Sequence, residues 1–274
     1  MSRHMGWIAA LLVFARIWAQ EGTLKVGAVL HPQNTWLFNQ DDSDAGPILD
    51  YEVTWGFAGG LTVSYNFTDY LGAGLDILYS SQGQKYKGTE NNTQLTAQTR
   101  LNYLKLPILF RFNSDPNSPV QFNFFIGPQL NFLLSYTDKA EWKSGVSTIA
   151  GEAKGKEFEY TIQLGGVTTS EKGKLTDLAY SSFLFGAAVG LGVGFKLTDE
   201  VSLTLHFRGD YAFGDAENKD CKIDHSSHGG GTENFWETKP KYGGSVIPAG
   251  YKRPLTTAVT GGFMLGVTYN LPLQ

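Results

Sequence analysis

Apolar and polar residues alternate along much of the chain, most plainly over Val201–Phe213. Val201, Leu203, Leu205, Phe207, Tyr211 and Phe213 share one face, broken only by Gly209, while Ser202, Thr204, His206, Arg208 and Asp210 share the other. A period of two marks a β-strand whose faces meet different surroundings. The same pattern recurs over residues 23–31, 53–67, 70–84, 101–112, 120–136, 182–197 and 257–271, which makes eight predicted strands. The links between them alternate in length. Residues 66–69, 113–119 and 197–200 are short and built from turn formers, whereas 39–52, 83–98, 138–180 and 215–254 are long. Strict short–long alternation predicts an all-β fold, an eight-stranded antiparallel up-and-down transmembrane β-barrel with long extracellular loops and both chain ends on the periplasmic side.

Alternation alone does not say which face meets lipid, because a soluble barrel or sandwich alternates too. The second face decides. A water-facing surface would be rich in Lys and Glu, but residues 182–197 offer Gly186, Ala188, Gly190, Gly192 and Gly194 opposite Phe183, Phe185, Val189, Leu191, Val193 and Phe195. Small residues suit the crowded inside of a narrow barrel. The scattered charges Lys25, Asp76, Lys105, Arg111, Lys196, Arg208 and Asp210, with His206, are then expected to pair inside the lumen. Trp55, Tyr65, Tyr70, Phe112, Tyr136, Phe195 and Tyr269 lie near strand ends, where aromatic girdles form.

Composition sharpens this reading. The 274 residues include 33 glycines and 14% aromatics, with only 18% charged. Residues 1–19 read as a signal peptide, with Arg3 and His4 ahead of an apolar run and Ala19 before the cut, leaving residues 20–274 as an outer-membrane β-barrel domain. Removing Arg3 and Arg16 takes the formal charge from -4 to about -6, which argues against nucleic acid as a partner. The single cysteine, Cys221, allows no internal disulfide.

Several stretches resemble the PorT-like outer-membrane barrels of the Bacteroidetes and their relatives. They are Leu78-Tyr79-Ser80-Ser81-Gln82-Gly83, Leu101-Asn102-Tyr103-Leu104-Lys105-Leu106-Pro107, Ile126-Gly127-Pro128-Gln129 and the glycine-rich run from Gly186 to Gly194. The resemblance implies an eight-stranded barrel, and its founding member is associated with protein secretion across the outer membrane. The two largest links are longer than the family's usual loops, and family members often carry an acid where Lys105 stands.

Candidate chemistry is thin. His206, Arg208 and Asp210 face inward together, but residues i and i+4 on a strand lie about 13 Å apart, too far for a direct His–Asp bond. Cys221, His225 and His228 have ligand types suited to zinc or copper but no fixed fourth ligand. Asp41, Asp42 and Asp44 fall short of a calcium loop. Phe158, Tyr160, Ile162 and Leu164 alternate inside the third long link, suggesting a strand beyond the membrane or a hairpin on the rim. No catalytic, cofactor-binding or metal-ligating residue is assigned. The expected function is non-enzymatic: an outer-membrane barrel with a plugged lumen, in contact with membrane lipid. Its long loops would meet protein or ligand, or support a protein-export or envelope assembly. A lipid-modifying outer-membrane enzyme and a narrow porin are the alternatives.

Overall fold

The structure, a computed structural model, describes residues 22–115, 118–224, 232–238 and 253–272. The predicted signal peptide lies outside them. The described residues form fourteen strands in the order β1 (Thr23–Phe38), β2 (Asp50–Glu52), β3 (Trp55–Asn66), β4 (Leu71–Glu90), β5 (Thr93–Asn113), β6 (Val120–Ser144), β7 (Ser147–Lys154), β8 (Glu157–Leu164), β9 (Val167–Leu175), β10 (Phe183–Lys196), β11 (Val201–Phe213), β12 (Lys222–Asp224), β13 (Thr232–Asn234) and β14 (Thr257–Pro272). Among the described residues, two short α-helices, α1 (Gln40–Asp44) and α2 (Phe235–Thr238), and a 3-10 turn (Gly46–Ile48) sit in the long links.

Eight of these strands close an antiparallel barrel in the order β1, β3, β4, β5, β6, β10, β11, β14 and back to β1. Closure removes every sheet edge within the barrel, which is what a strand protein needs in hydrocarbon. Thr23 pairs with Pro272, so both ends of the described barrel lie at one mouth. Two of the three turns at that mouth, β3–β4 and β10–β11, are alike. The Thr68 hydroxyl accepts from the N–H groups of Tyr70 and Leu71, and the Thr198 hydroxyl accepts from those of Glu200 and Val201. The Thr hydroxyl thus sets both of these tight reversals.

The faces separate as the alternation requires. Leu61, Phe122, Leu191 and Phe263 are each at least 60% exposed, whereas Asp76 and Arg208 are fully buried. Inside, small residues oppose long ones. Ala188, Gly190 and Gly192 of β10 stand beside Asp210, Arg208 and His206 of β11. A Cβ on Gly190 would lie 2.2 Å from the Phe125 ring, so this glycine gives Phe125 its place in the lumen. The glycine-rich strand is the complement of the charged one.

Three expectations are corrected. β1 runs on to Phe38, because Pro32 leaves the ladder largely intact and Gln33, Thr35 and Leu37 continue the buried face. The predicted loop 83–98 is mostly strand: β4 and β5 extend to Glu90 and Thr93 and reverse at Asn91 and Asn92, with φ of 47° and 65°. These left-handed values suit Asn in a hairpin turn. Tyr136 does not join an outer girdle. A register shift pairs Asn102 with Ser135 but Tyr103 with Leu133, so Leu134 is an extra residue and the parity of β6 flips beyond it. Tyr136 is therefore 1% exposed inside the protein, while Ser135 turns outward. The other ring positions remain at the surface, with Trp55, Tyr70, Phe112, Phe195 and Tyr269 exposed and Tyr65 half-buried.

Candidate functional site: a closed lumen and its outer cap

The lumen is filled by one ion-pair network. Arg208 donates from Nε to Asp210 Oδ1 at 2.8 Å, from Nη1 to Asp76 Oδ2 at 3.0 Å and from Nη2 to Gln129 Oε1 at 3.0 Å. Lys105 Nζ donates to Asp210 Oδ2 at 2.9 Å, and Arg111 Nη2 reaches Asp76 Oδ1 at 3.4 Å. Gln129 then donates to Asn131, which donates to the Leu184 carbonyl. These side chains come from β4, β5, β6 and β11, so the network ties facing walls of the barrel together. Val29, Leu78, Leu109, Phe125, Ala188 and Met264 pack around it. Low dielectric strengthens such pairs and makes any unpaired member costly.

The predicted inward trio is brought together only in part. Arg208 and Asp210 bond directly. His206 does not join them: its ring lies edge-on to Phe125 at 5.4 Å, and neither ring nitrogen has a protein hydrogen-bond partner. His31 is buried in the same state. Lys25 also stands outside the pairing expected of it. Sequence reasoning missed Gln129, whose amide reads only as a polar alternate, and Gln33, which lies past the predicted end of the first strand at residue 31. Gln33 donates to Ser80 in the lumen.

Above the network, the long-loop end of the barrel is capped. Leu37, Leu101, Tyr103, Tyr136, Tyr180, Leu184, Cys221, Phe235 and Trp236 belong to one buried cluster. Trp236 meets Tyr180 edge-on at 5.4 Å and donates from Nε1 to the Asn218 carbonyl. Arg253 clamps this cap. It donates to Glu217 at 2.8 and 3.0 Å and to Asp42 at 3.0 Å, and its guanidinium lies over the Trp236 ring. Burial opposes the charge on Arg253, but Glu217 and Asp42 outweigh it and hold the group above its ordinary range. Asp42, one of the candidate calcium carboxylates, is thus a partner of Arg253.

Cys221 is fully buried in the cap, its Sγ 3.3 Å from the Asp177 carbonyl, and burial pushes its thiol up. His225 and His228 lie outside the described residues. Among the described residues, no group of three His, Cys, Asp or Glu side chains is close enough to hold a metal. Cys221 provides a reporter of the cap. Replacing Arg253 with Met removes three charge-assisted hydrogen bonds, two to Glu217 and one to Asp42, each worth about 1.5–3 kcal/mol when well formed. The expected result is a rise of about tenfold or more in the rate at which a membrane-impermeant maleimide labels Cys221. Unchanged labelling would show that Arg253 does not hold the cap.

The same sheet continues above the rim. β6 continues past the barrel into β7, β8 and β9, with β12 and β13 at its far edge. β8 is the strand expected over Phe158, Tyr160, Ile162 and Leu164. One face carries charge pairs, Lys139 with Glu152 and Lys172 with Glu159. The tip is apolar: Val146, Leu164 and Val167 are exposed, as are Ile149 and Ile162 below them.

Comparison with known proteins follows this architecture. The family model described as "Outer membrane protein beta-barrel domain" matches residues 30–218. Among solved structures, the chain is similar to OprG of Pseudomonas aeruginosa at 12% identity, covering 92% of this chain and 96% of that one with a TM-score of 0.39. It is also similar to Neisserial surface protein A, at 14% identity, 90% and 97% coverage and a TM-score of 0.36. The attachment invasion locus protein of Yersinia pestis is similar at 12% identity, 92% and 100% coverage and a TM-score of 0.33. The curated proteins contain no match.

Proposed function

The chain belongs to the outer membrane protein beta-barrel domain family, and from that premise we propose that it is a closed, non-enzymatic barrel whose working surface is the rim sheet. Localisation to the outer membrane follows from the family; delivery there by a leader over residues 1–19 is part of the proposal. The observation that carries the reading is the rim. An exported barrel needs only short links to span, yet this chain builds three extra strands, β7 to β9, and leaves Leu164 and Val167 exposed at their tip. Apolar groups grouped on a protruding surface favour a protein partner. The filled lumen supports the same reading, since the fully buried Arg208 and its carboxylates occupy the space a conducting path would need. For a catalytic role, both oxygens of Asp210 are already engaged by Arg208 and Lys105, and His206 contacts a phenyl ring.

The finer reading is a PorT-like role in a protein-export or envelope assembly. The stretches Leu78 to Gly83 and Leu101 to Pro107 support it by resemblance. A photo-crosslinking residue placed at Leu164, in cells with native outer membranes, is expected to capture one defined envelope protein. The same residue at Leu191 is expected to capture lipid. Absence of any protein adduct at Leu164 and at Val167 would overturn the proposal.

A further inference from the structure

On β1, β3, β10 and β11 the outer face stays apolar to its long-loop end. The outward residues there are Trp36 and Phe38 of β1, Trp55 of β3, Phe183 of β10 and Phe213 of β11, all exposed. Three adjacent strands break this pattern. On the same outer face β4 passes from Tyr79 to Lys85, β5 from Leu104 to Arg100 and β6 from Leu134 to Lys139. Between the apolar and cationic rows lies a neutral polar one, where Asn102 donates to Ser135 at 2.9 Å. Apolar, then amide and hydroxyl, then cation is the order that matches a lipid read from its chains to its headgroup.

The three cations form one cluster. Gln98 is the register partner of both Lys85 and Lys139, and Arg100 stands two residues from Gln98 on the membrane side. Diagonal neighbours across a ladder lie about 7–8 Å apart, within reach of long side chains. Arg100 is exposed, and its register partners Gly83 and Thr137 bring no charge to its level. Among the described residues neither Arg100 nor Lys85 has an ion-pair partner. The nearest carboxylates stand a row farther from the apolar band: Glu52 opposite Lys85, and Glu152, bonded to Lys139 at 2.9 Å. Beyond Arg100 the outer face opens into a groove of about 480 Å³ whose lining includes Lys85, Gln98, Lys139 and Glu141. An unneutralised guanidinium thus borders the lipid-facing surface, with a polar groove beside it.

We propose that the outer face of β4 to β6 binds the phosphorylated headgroup of one outer-leaflet lipid, with Arg100 as the phosphate anchor and Lys85 and Lys139 beside it. A guanidinium presents two parallel donors to a phosphate, which an ammonium does not. The amide and charges of both signs in the groove give donors and acceptors to headgroup hydroxyls. Continuity with the apolar face decides for a lipid over a free anion, because the exposed Ile77, Tyr79 and Leu134 lie directly below to take its chains. The site goes beyond the rim reading and does not depend on what the rim tip binds.

Native mass spectrometry of the detergent-solubilised full chain, titrated with diphosphoryl lipid A, tests this. One lipid A retained per barrel is expected. Arg100→Gln is expected to weaken retention about tenfold, the loss of one charge-assisted contact, and Lys85→Gln about fivefold. Lipid A stripped of its phosphates is expected to bind the wild type about as weakly as intact lipid A binds Arg100→Gln. Lys172→Gln, which removes a cation on β9 away from the lipid-facing strands, is expected to behave as the wild type, and an equal concentration of inorganic phosphate is expected not to displace the lipid. No retained lipid A, unchanged retention in the Arg100 and Lys85 variants, or an equal loss in Lys172→Gln would overturn the proposal. So would retention indifferent to the lipid's phosphates, or displacement by inorganic phosphate.

Discussion

Replacing Asp210 with Ala is expected to lower the stability of the folded barrel by about 3–5 kcal/mol, read as a drop in the urea midpoint of refolding into detergent or lipid. Asp210 is 4% exposed and, among the described residues, is the one carboxylate bonded to Lys105, itself 2% exposed. Once Asp210 is gone, Lys105 keeps only the Thr260 hydroxyl at 3.4 Å, and Arg208 loses its shortest contact. The cost comes from stranding buried charge, so it should couple to the stranded partner. Adding Lys105→Met to Asp210→Ala is expected to cost less than the sum of the two single changes. Strict additivity would mean that the pair packs without communicating and that the network is incidental.

Leu191→Arg is expected to cost about 2–4 kcal/mol, and Phe195→Arg, nearer the short-turn mouth on the same strand, about 0–1 kcal/mol. Leu191 is 61% exposed on the outer face of β10, and its neighbours across the ladder are Phe124 and Phe207. On a surface wetted by water, arginine at Leu191 would cost little and depth along the strand would not matter. The depth dependence is therefore the informative part. Equal, small effects at both positions would contradict a hydrocarbon surroundings for this face.

How much of this was legible in the chain differs from strand to strand. β11 was readable in full, because its faces are chemically opposite and it spans without a bulge. β10 was readable once its glycines were taken as lumen residues, although their role as space for Phe125 and Arg208 depends on neighbours assigned only by register. The bulge at Leu134 was hidden, since Leu133 and Leu134 are both apolar and parity cannot fix where an extra residue enters. The hairpin at Asn91 and Asn92 was missed for a different reason. Beyond the membrane the outer face of β4 and β5 turns polar, with Lys85, Lys87, Gln94 and Thr96 exposed, and the buried face keeps only Tyr86 and Leu95 against Leu49, so apolar alternation fades although the strands continue. The lumen charges were visible as a set, but not as pairs: Arg208 joins Asp76, 132 residues away, through closure of the barrel. Lys25 and His206 were expected to pair and do not. The cap left almost no trace, because Trp236 and Arg253 sit in a link without periodicity.

The cap and the network close the lumen at two levels by different physics. One is an apolar cluster clamped by Arg253, and the other is a charge lattice in the barrel wall. Loosening the cap should expose Cys221 while leaving the lattice intact.

Everything here depends on which solvent touches residues such as Leu191. The most direct measurement is the collision accessibility of a nitroxide at Leu191, in the barrel reconstituted in lipid, with a second nitroxide at Val167 on the rim. The expected result at Leu191 is strong relaxation by oxygen and weak relaxation by a water-soluble nickel chelate, with the reverse at Val167. Nickel accessibility at Leu191 equal to that at Val167 would contradict the account.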